Sequence, residues 1–308
     1  MKQAKTEQRN SRSRGLDRIP TLKILRLLNR EDARVATAVR RELPKIARAV
    51  DAIVRSFRSG GRLIYVGAGS SGRLGVLDAV ECPPTFGTPP RMVQALIAGG
   101  EKAIRKAVEG AEDSAAAGAR DLAAAGIARS DLVVGIAASG TTPYVLGALR
   151  LARRRGAVTV GVTSNPRSPL ARLARIAIAP KTGPEVIAGS SRLKAGTAQK
   201  MVLNMLSTAS MARLGRVYEN WMIHVALTNQ KLRQRAARIL EESAGVSASA
   251  AAHALRQAKH NLPAALVMLK TGAGAPQARK WLAKSGGNVR LALDASKGTR
   301  AGSKRRAK

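Results

Sequence analysis

The sequence contains one stretch in which four apolar residues lead into a loop of glycines and serines, Leu63-Ile64-Tyr65-Val66-Gly67-Ala68-Gly69-Ser70-Ser71-Gly72-Arg73. A short apolar run bounded by turn-forming residues predicts a buried β-strand. Glycines let the backbone approach an anion closely, and the amides at the start of a following helix point toward it. The stretch therefore predicts a small-molecule site at the carboxyl end of a strand in an α/β sheet.

A second stretch repeats this design, Leu132-Val133-Val134-Gly135-Ile136-Ala137-Ala138-Ser139-Gly140-Thr141-Thr142-Pro143. Thr142 followed by Pro143 is typical of a helix start, because threonine caps a helix and proline fits its first position. Two such loops predict two parallel strands that feed one pocket. The hydroxyl donors of that pocket are Ser70, Ser71, Ser139, Thr141 and Thr142.

The glycine spacing of the first loop leaves more than one ligand open. Residues 67–72 satisfy the pattern G-x-G-x-x-G of dinucleotide sites, which alone is a weak signal. A dinucleotide site also needs an acid after the next strand, and Glu101 is a late candidate for it. The hydroxyl-rich second loop suits a phosphate or a sugar better than a nicotinamide. We therefore favour a sugar phosphate over a dinucleotide or a purely structural turn.

Apolar runs alternate with helical patterns through the middle of the chain. The runs are residues 63–66, 92–97, 132–136, 158–162 and 176–178. This alternation predicts an α/β fold with a parallel sheet flanked by helices, doubly wound. In front of the sheet, apolar periodicity predicts one helix from Thr21 and a second from Asp32, with Pro44 as a possible kink.

Composition divides the chain into five segments. We expect an N-terminal arm (1–20), N-terminal helices (21–60), a sugar-phosphate domain (61–244), a small helical subdomain (245–295) and a basic disordered tail (296–308). The single cysteine, Cys82, excludes an intramolecular disulfide and a cysteine cluster for zinc. The three histidines are widely spread, so we expect no metal. No run approaches the roughly 18 apolar residues of a membrane span, and we expect a cytoplasmic protein.

The net charge is the unusual feature of the composition. The chain has 54 Lys+Arg against 19 Asp+Glu, a formal charge of +35. Such a charge is typical of nucleic-acid partners, but the bases are spread over the whole chain and only 2% of the residues are aromatic. Stacking platforms for single strands are therefore scarce. We interpret the charge as a solvated basic surface, with nucleic-acid binding only as a nonspecific, charge-driven activity.

Few acids are available for chemistry, so those near the loops stand out. Glu81 is followed closely by Pro83 and Pro84, which fix the backbone, while Glu109 and Glu112 lie near a predicted helix boundary. Each has an alternative structural interpretation. Glu81 could cap a helix or form an ion pair, and the other two could complement a helix dipole. The residues alone leave these alternatives open.

Five motifs in order carry a resemblance to a known family. They are Gly67-Ala68-Gly69-Ser70-Ser71-Gly72-Arg73-Leu74-Gly75, Glu81-Cys82-Pro83-Pro84-Thr85, Val108-Glu109-Gly110-Ala111-Glu112-Asp113, Gly135-Ile136-Ala137-Ala138-Ser139-Gly140 and Ser191-Arg192-Leu193-Lys194-Ala195-Gly196-Thr197-Ala198-Gln199-Lys200. Together they closely resemble the N-acetylmuramic acid 6-phosphate etherases, from Thr6 to about Leu293. That family has a sugar isomerase (SIS) domain and is related to the regulatory protein of glucokinase. The resemblance implies an SIS-type fold.

The resemblance also implies an activity. Members of the family are carbon-oxygen lyases that cleave the D-lactyl ether of N-acetylmuramic acid 6-phosphate to N-acetylglucosamine 6-phosphate and D-lactate in cell-wall recycling. The reaction is an elimination followed by hydration, which is a task for two carboxyl groups without a metal or cofactor. By resemblance, Glu81 is the proton donor and Glu112 its acid/base partner. Family members are dimers, so we expect a homodimer with the pocket close to the subunit interface.

By the same resemblance, the phosphate contacts Ser70, Ser71, Ser139 and Thr142. Lys194 could add positive charge, although pairing with Glu185 is an equal alternative. The motif of residues 6–10 implies that the arm folds over a site. The chain departs from the family pattern at Thr141, where arginine is usual, and at His224, where an acid is usual. A non-catalytic sugar-phosphate sensor and a nucleic-acid-associated protein remain the alternative functions.

Overall fold

The predicted parallel sheet is confirmed. The computed structural model describes residues 7–227 and 229–306, with side chains up to residue 297. Its strands are β1 Leu63–Gly67, β2 Val93–Ile97, β3 Leu132–Ile136, β4 Val158–Val162 and β5 Ile176–Ile178. All neighbouring strands are parallel, in the order β2-β1-β3-β4-β5. Because β1 and β3 are buried along their whole length, they form the centre of the core.

The strand order reverses between β1 and β3, and this point positions the candidate site. β1 pairs with both β2 and β3, and Gly67 at its end lies opposite Ile136 at the end of β3. The chain leaves these two strands toward opposite faces of the sheet, which opens a crevice at their carboxyl ends. Neighbouring strands are only about 4.8 Å apart. The glycine and hydroxyl loops that follow β1 and β3 are therefore neighbours.

Helices α1–α8 surround this sheet. They are α1 Thr21–Arg40, α2 Leu43–Arg58, α3 Gly69–Phe86, α4 Lys102–Arg105, α5 Ala115–Ala124, α6 Pro143–Arg154, α7 Pro169–Leu173 and α8 Lys194–Arg213. One core cluster packs apolar residues of α5 and α6 against β1 and β3, with Leu122, Tyr144 and Leu149 almost fully buried. Burial of this apolar face is what stabilises the layered arrangement.

The two N-terminal helices meet at a different place from the one predicted. The sequence predicts a helix boundary near Asp32 and a possible kink at Pro44. In the structure, α1 continues to Arg40 and α2 begins at Leu43. Pro44 lies in the first turn of α2, where a missing N–H removes no hydrogen bond. The buried Glu42 between the helices accepts hydrogen bonds from Lys45 Nζ at 2.8 Å and from Ala179 N at 3.0 Å.

The chain divides into two compact units. The sheet unit contains Pro89–Ser210 and the described residues up to Glu81, and the helical unit contains Cys82–Thr88 and the described residues from Met211 onward. Helices of the second unit are α9 Gln230–Ala244, α10 Ala248–Gln257, α11 Leu262–Thr271, α12 Ala275–Lys284 and α13 Val289–Arg306. α11 is buried almost all round and forms the centre of its core.

The C-terminal helix is longer than the sequence analysis predicts. A disordered tail is expected over residues 296–308, whereas α13 continues to Arg306. Lys, Arg and Ala are common in this segment, and all three are favourable helix formers, so charge alone is a poor indicator of disorder here. The last two residues of the predicted tail, 307–308, lie outside the described residues.

Candidate functional site

The two loops line a single pocket of about 430 Å³ at the carboxyl ends of β1 and β3. We call it the carboxyl-edge pocket. Its lining residues are Glu7, Ala68, Gly69, Ser70, Ser71, Glu112, Asp113, Ile136, Ala137, Ala138, Ser139, Thr141, Thr142, Pro143, Gly189 and Ser191. Most of the sequence-predicted binding residues are thus brought together. All the lining residues belong to the sheet unit.

The first loop depends on glycine at two positions. A Cβ atom on Gly67 would lie 2.7 Å from the backbone nitrogen of Gly72, so no side chain fits there. Gly69 has φ +52°, in the left-handed region, and it begins α3. This sharp turn from strand to helix places Ser70 and Ser71, in the first turn of α3, at the pocket. Free backbone amides and the positive end of the helix dipole therefore favour an anion there.

The second loop is held in shape by hydroxyl groups. Gly140 has φ +72°, and a Cβ atom on it would lie 2.2 Å from Ser168 Oγ. Ser139 Oγ lies 2.8 Å from Thr141 Oγ1 and accepts a hydrogen bond from Thr141 N at 3.2 Å. Thr163 Oγ1, directly after β4, donates to Ala138 O at 3.1 Å and so anchors the loop to the neighbouring strand. The hydroxyls of this loop are thus oriented before any ligand arrives.

Ser71 is positioned by a residue that the sequence analysis did not single out. The buried Ser71 hydroxyl lies 2.9 Å from Gln199 Oε1 on α8, and Gln199 is 2% exposed with no hydrogen-bond partner for its Nε2 within the described structure. A buried amide donor without a partner costs about 1–3 kcal/mol. Rotating the amide by half a turn lets Nε2 donate to Ser71 Oγ instead. The Ser71 hydrogen is then free to donate into the pocket.

Carboxylates, and no lysine or arginine, are found among the residues that line the pocket. The acids are Glu7, Glu112 and Asp113. Glu112 lies in a short 3-10 turn, Ala111–Asp113, which directly precedes Ser114, the cap of α5. Glu112 also lines an adjoining pocket of about 160 Å³ together with Glu109. Within this lining, backbone amides and hydroxyls are the groups that could bind an anion.

Glu81 does not line either of these pockets. It is exposed on α3, twelve residues after Gly69, which corresponds to about 18 Å along a helix. Leu77 and Val80 beside it are 50% and 58% exposed. The structure of one chain therefore does not bring together Glu81 and Glu112, the two predicted catalytic carboxyl groups.

Lys194 also lies outside the carboxyl-edge pocket. Its side chain is 3% exposed and its Nζ forms an ion pair with Glu31 of α1. The carboxylate of the predicted alternative partner, Glu185, is hydrogen-bonded to backbone amides instead. It accepts from Lys194 N at 3.0 Å and from Ala195 N at 2.9 Å, which caps the start of α8. The ammonium group of Lys194 thus holds two helices together and does not face a ligand.

Glu31 connects the N-terminal arm to the sheet unit. It is 1% exposed and accepts hydrogen bonds from Asn10 Nδ2 at 3.0 Å and Arg12 Nη1 at 3.1 Å, in addition to Lys194. Burial opposes ionisation of Glu31, but the hydrogen bond and charge of Lys194, with help from Asn10 and Arg12, outweigh it and lower the pKa of Glu31. Asn10 also donates to Pro184 O at 3.3 Å. The arm is therefore fixed in a position where Glu7 lines the pocket, while Thr6 of the same motif lies outside the described residues.

His224 belongs to the helical unit. Burial, reinforced by the nearby charge of Arg216, lowers the pKa of His224 to about 4. Its Nε2 is buried and has no hydrogen-bond partner within the described structure. The imidazole is therefore neutral at physiological pH.

The described residues also bear on metal binding and on membrane spans. No group of three or more His, Cys, Asp or Glu side chains there is arranged to hold a metal ion. No helix in the described part of the chain is both long and apolar enough to cross a membrane.

Comparison with known proteins decides the family. The model of the glucokinase regulatory protein N-terminal SIS domain matches residues 45–153, and the SIS domain model matches residues 109–209. The N-acetylmuramic acid 6-phosphate etherase of Geobacillus thermodenitrificans is 53% identical over 289 residues, which cover 94% of this chain and 98% of that protein. The chain belongs to the N-acetylmuramic acid 6-phosphate etherase family.

Two other relatives agree with this assignment, and one solved structure has a similar fold. The etherases of Edwardsiella ictaluri and Yersinia pestis are each 54% identical, and 94% of this chain is covered in both cases. A proposed phosphosugar isomerase of Bacteroides fragilis has a similar fold, with a TM-score of 0.50 and 21% identity over 65% of this chain and 95% of that one. At this identity the likeness supports the SIS-type fold alone. The fold expected from the sequence is confirmed.

Proposed function

We propose that this etherase-family chain cleaves the D-lactyl ether of N-acetylmuramic acid 6-phosphate, giving N-acetylglucosamine 6-phosphate and D-lactate in cell-wall recycling. One observation carries the proposal from the structural side: the two hydroxyl loops and Glu112 line the same pocket. A phosphorylated sugar needs such a site, with donors for its anionic end and a carboxyl group for its reacting end. Because phosphorylated sugars are retained in cells, we place the enzyme in the cytoplasm.

The phosphate end binds at the loops. Ser70 and Ser71 at the start of α3 offer hydroxyls beside free backbone amides, and Ser139 and Thr142 face them from the loop after β3. Hydroxyl and amide donors aimed at one point can hold an anion without a formal positive charge. We assign the phosphate contact to these four hydroxyls.

The reaction itself is an elimination on the open-chain sugar. Glu112, as a carboxylate, takes the proton from the carbon next to the aldehyde, and that electron pair forms a double bond as the bond to the lactyl oxygen breaks. A second carboxyl group protonates the departing oxygen, so this oxygen leaves as the hydroxyl group of lactate. Water then adds to the double bond, with its hydroxyl on the carbon that lost lactate and the proton returned to the neighbouring carbon.

Glu81 is the second carboxyl group, and we propose that it comes from a second copy of the chain. Val80 and Glu81 follow Leu77 by three and four residues, so both lie on the same face of α3 as Leu77. The two apolar side chains are more than half or about half exposed, which is typical of a contact surface. A homodimer that covers this face can place Glu81 in the pocket of its partner.

Complementation tests whether Glu81 acts across the dimer. The variants Glu81→Gln and Glu112→Gln are each expected to be inactive as homodimers. In a randomly reassembled mixture, half of the dimers are mixed and each mixed dimer has one intact site, so about a quarter of wild-type activity should return. No recovery, in a mixture shown to contain mixed dimers, would place both glutamates in one chain. Glu7→Gln is the matched control, because it makes the same chemical change at another glutamate that lines the pocket.

The function itself is tested by incubating the protein with N-acetylmuramic acid 6-phosphate and measuring D-lactate. We expect catalytic release of lactate, and far slower release from N-acetylmuramic acid, which lacks the phosphate. Folded protein that binds the phosphorylated sugar without releasing lactate would support the sensor interpretation and contradict the proposal. Binding of duplex DNA that falls steeply with salt, without any lactate release, would support the nucleic-acid alternative.

A further inference from the structure

A second pocket lies at the amino ends of the strands, on the opposite edge of the sheet. It measures about 440 Å³ and we call it the amino-edge pocket. Its lining residues are Arg48, Asp51, Ala52, Arg55, Ser56, Ser59, Arg129, Ser130, Val158, Arg175 and Ile176. Reacting ligands of open α/β sheets bind at the carboxyl ends of the strands. This pocket is therefore separate from the site described above, and it takes no part in the proposed chemistry.

The charge of the amino-edge pocket is strongly unbalanced. Four of its lining residues are arginines and one, Asp51, is an acid. Within the described residues, none of these four guanidinium groups forms an ion pair. The nearby Arg62 differs, because it pairs with Asp131 at 2.7 Å and donates to Ala125 O and Gly126 O. Unpaired like charges around one cavity repel each other, so an anion bound among them is stabilised.

The backbone of the pocket is firmly built. Arg48 and Arg55 are seven residues apart, which places them two turns apart on one face of α2. Arg175 directly precedes β5, and its backbone nitrogen donates to Thr159 Oγ1 at 3.2 Å. Ser56 Oγ donates to Ser130 O at 2.6 Å, which ties α2 to the segment that precedes β3. The four arginines are exposed, and all of them line one cavity.

The chemistry of the lining indicates the class of ligand. A guanidinium group binds phosphate through two parallel hydrogen bonds, so several arginines favour several phosphoryl groups. No aromatic side chain lines the pocket on which a nucleobase could stack, and its volume lies in the usual range of about 300–1,000 Å³ for small-molecule sites. We propose that the amino-edge pocket is an anion site for a small molecule that carries two or more linked phosphoryl groups.

Calorimetric titration with inorganic tripolyphosphate tests this proposal on the full chain. At about 150 mM salt, where long-range attraction to the basic surface is screened, we expect saturable binding of one tripolyphosphate at this site. The double variant Arg48→Gln/Arg175→Gln should weaken this binding by roughly ten-fold or more. The control Arg120→Gln/Arg150→Gln removes the same charge from exposed arginines outside the pocket. It should change the affinity by less than about two-fold.

Three outcomes would overturn the proposal. The first is equal weakening in both double variants, which would assign the binding to net charge. The second is loss of binding in Ser70→Ala/Ser139→Ala alone, which would assign tripolyphosphate to the carboxyl-edge pocket. The third is duplex DNA binding that depends on Arg48 and Arg175 while tripolyphosphate binding does not, which would make this surface part of a nucleic-acid interface. None of these outcomes depends on whether the chain releases lactate.

Discussion

The two edges of one sheet offer two different solutions for binding an anion. At the carboxyl edge, glycine turns present backbone amides and hydroxyls, and the lining contains three acids and no lysine or arginine. At the amino edge, four arginines surround a pocket of similar volume with a single acid. Oriented neutral donors leave the local charge low, so a catalytic carboxylate can work beside the bound phosphate. A cluster of arginines attracts a multiply charged anion, but it would also pair with such a carboxylate.

The largest expected effect distinguishes the proposed catalytic base, Glu112, from its neighbour Glu109. Glu112→Gln keeps the shape of the side chain but removes the base, so kcat for lactate release should fall by at least about 10²–10³-fold. Glu109→Gln makes the same chemical change three residues away, in the adjoining smaller pocket. It should change kcat by less than about three-fold. Similar losses in both variants, with both proteins folded by circular dichroism, would contradict the role of Glu112.

Salt distinguishes the two edges directly. Between about 50 and 300 mM salt, affinity for tripolyphosphate should fall by ten-fold or more, because binding relies on several arginine charges. The KM for N-acetylmuramic acid 6-phosphate should change by less than about three-fold, since its phosphate contacts are neutral donors. Parallel measurements on one preparation allow the comparison. Equal salt dependence of the two constants would mean that the overall charge of +35, and not the pocket lining, governs both.

A smaller effect tests the support of the carboxyl-edge pocket. Gln199→Leu removes the group that orients the Ser71 hydroxyl. We expect KM to rise by roughly three- to ten-fold, the cost of one misdirected hydrogen bond, with kcat nearly unchanged. Gln199→Glu should also bind the substrate more weakly than the wild type, because a carboxylate accepts the Ser71 hydrogen and turns it away from the phosphate. A fall in kcat without a change in KM would contradict this role for Gln199.

The central sheet could be predicted from sequence because its signals are local. Each apolar run of three to six residues is followed within a few residues by glycine, proline or polar residues, and all five runs form strands with bounds that differ by at most one residue. The loops after β1 and β3 were also predictable as partners, since parallel strands end at the same edge. Pro44 was misplaced because a proline within a helical pattern can either bend a helix or begin one. Glu42 accepts a hydrogen bond from Ala179 N, 137 residues later, and such a distant contact is not visible in the local pattern.

The parts of the site that could not be predicted depend on contacts distant in sequence. Lys194 and Glu31 are 163 residues apart, so no local pattern reveals that the ammonium is occupied. Gln199 meets Ser71 only because α8 packs beside α3. The distance of Glu81 from the pocket follows from α3 being continuous through Pro83 and Pro84, whereas the sequence indicates only that these two prolines fix the backbone. The amino-edge pocket joins residues from α2, β4 and β5 and the segment before β3, so it appears only when the strand order is known.

The most direct test of the contrast between the two edges is a crystal structure of the chain soaked with N-acetylglucosamine 6-phosphate. We expect the sugar phosphate to occupy the carboxyl-edge pocket, with its phosphate within hydrogen-bond distance of the hydroxyls of Ser70, Ser71, Ser139 and Thr142. We also expect the reacting end of the sugar to face Glu112. A phosphate found among Arg48, Arg55, Arg129 and Arg175, with the carboxyl-edge pocket empty, would contradict the proposed division between the two edges.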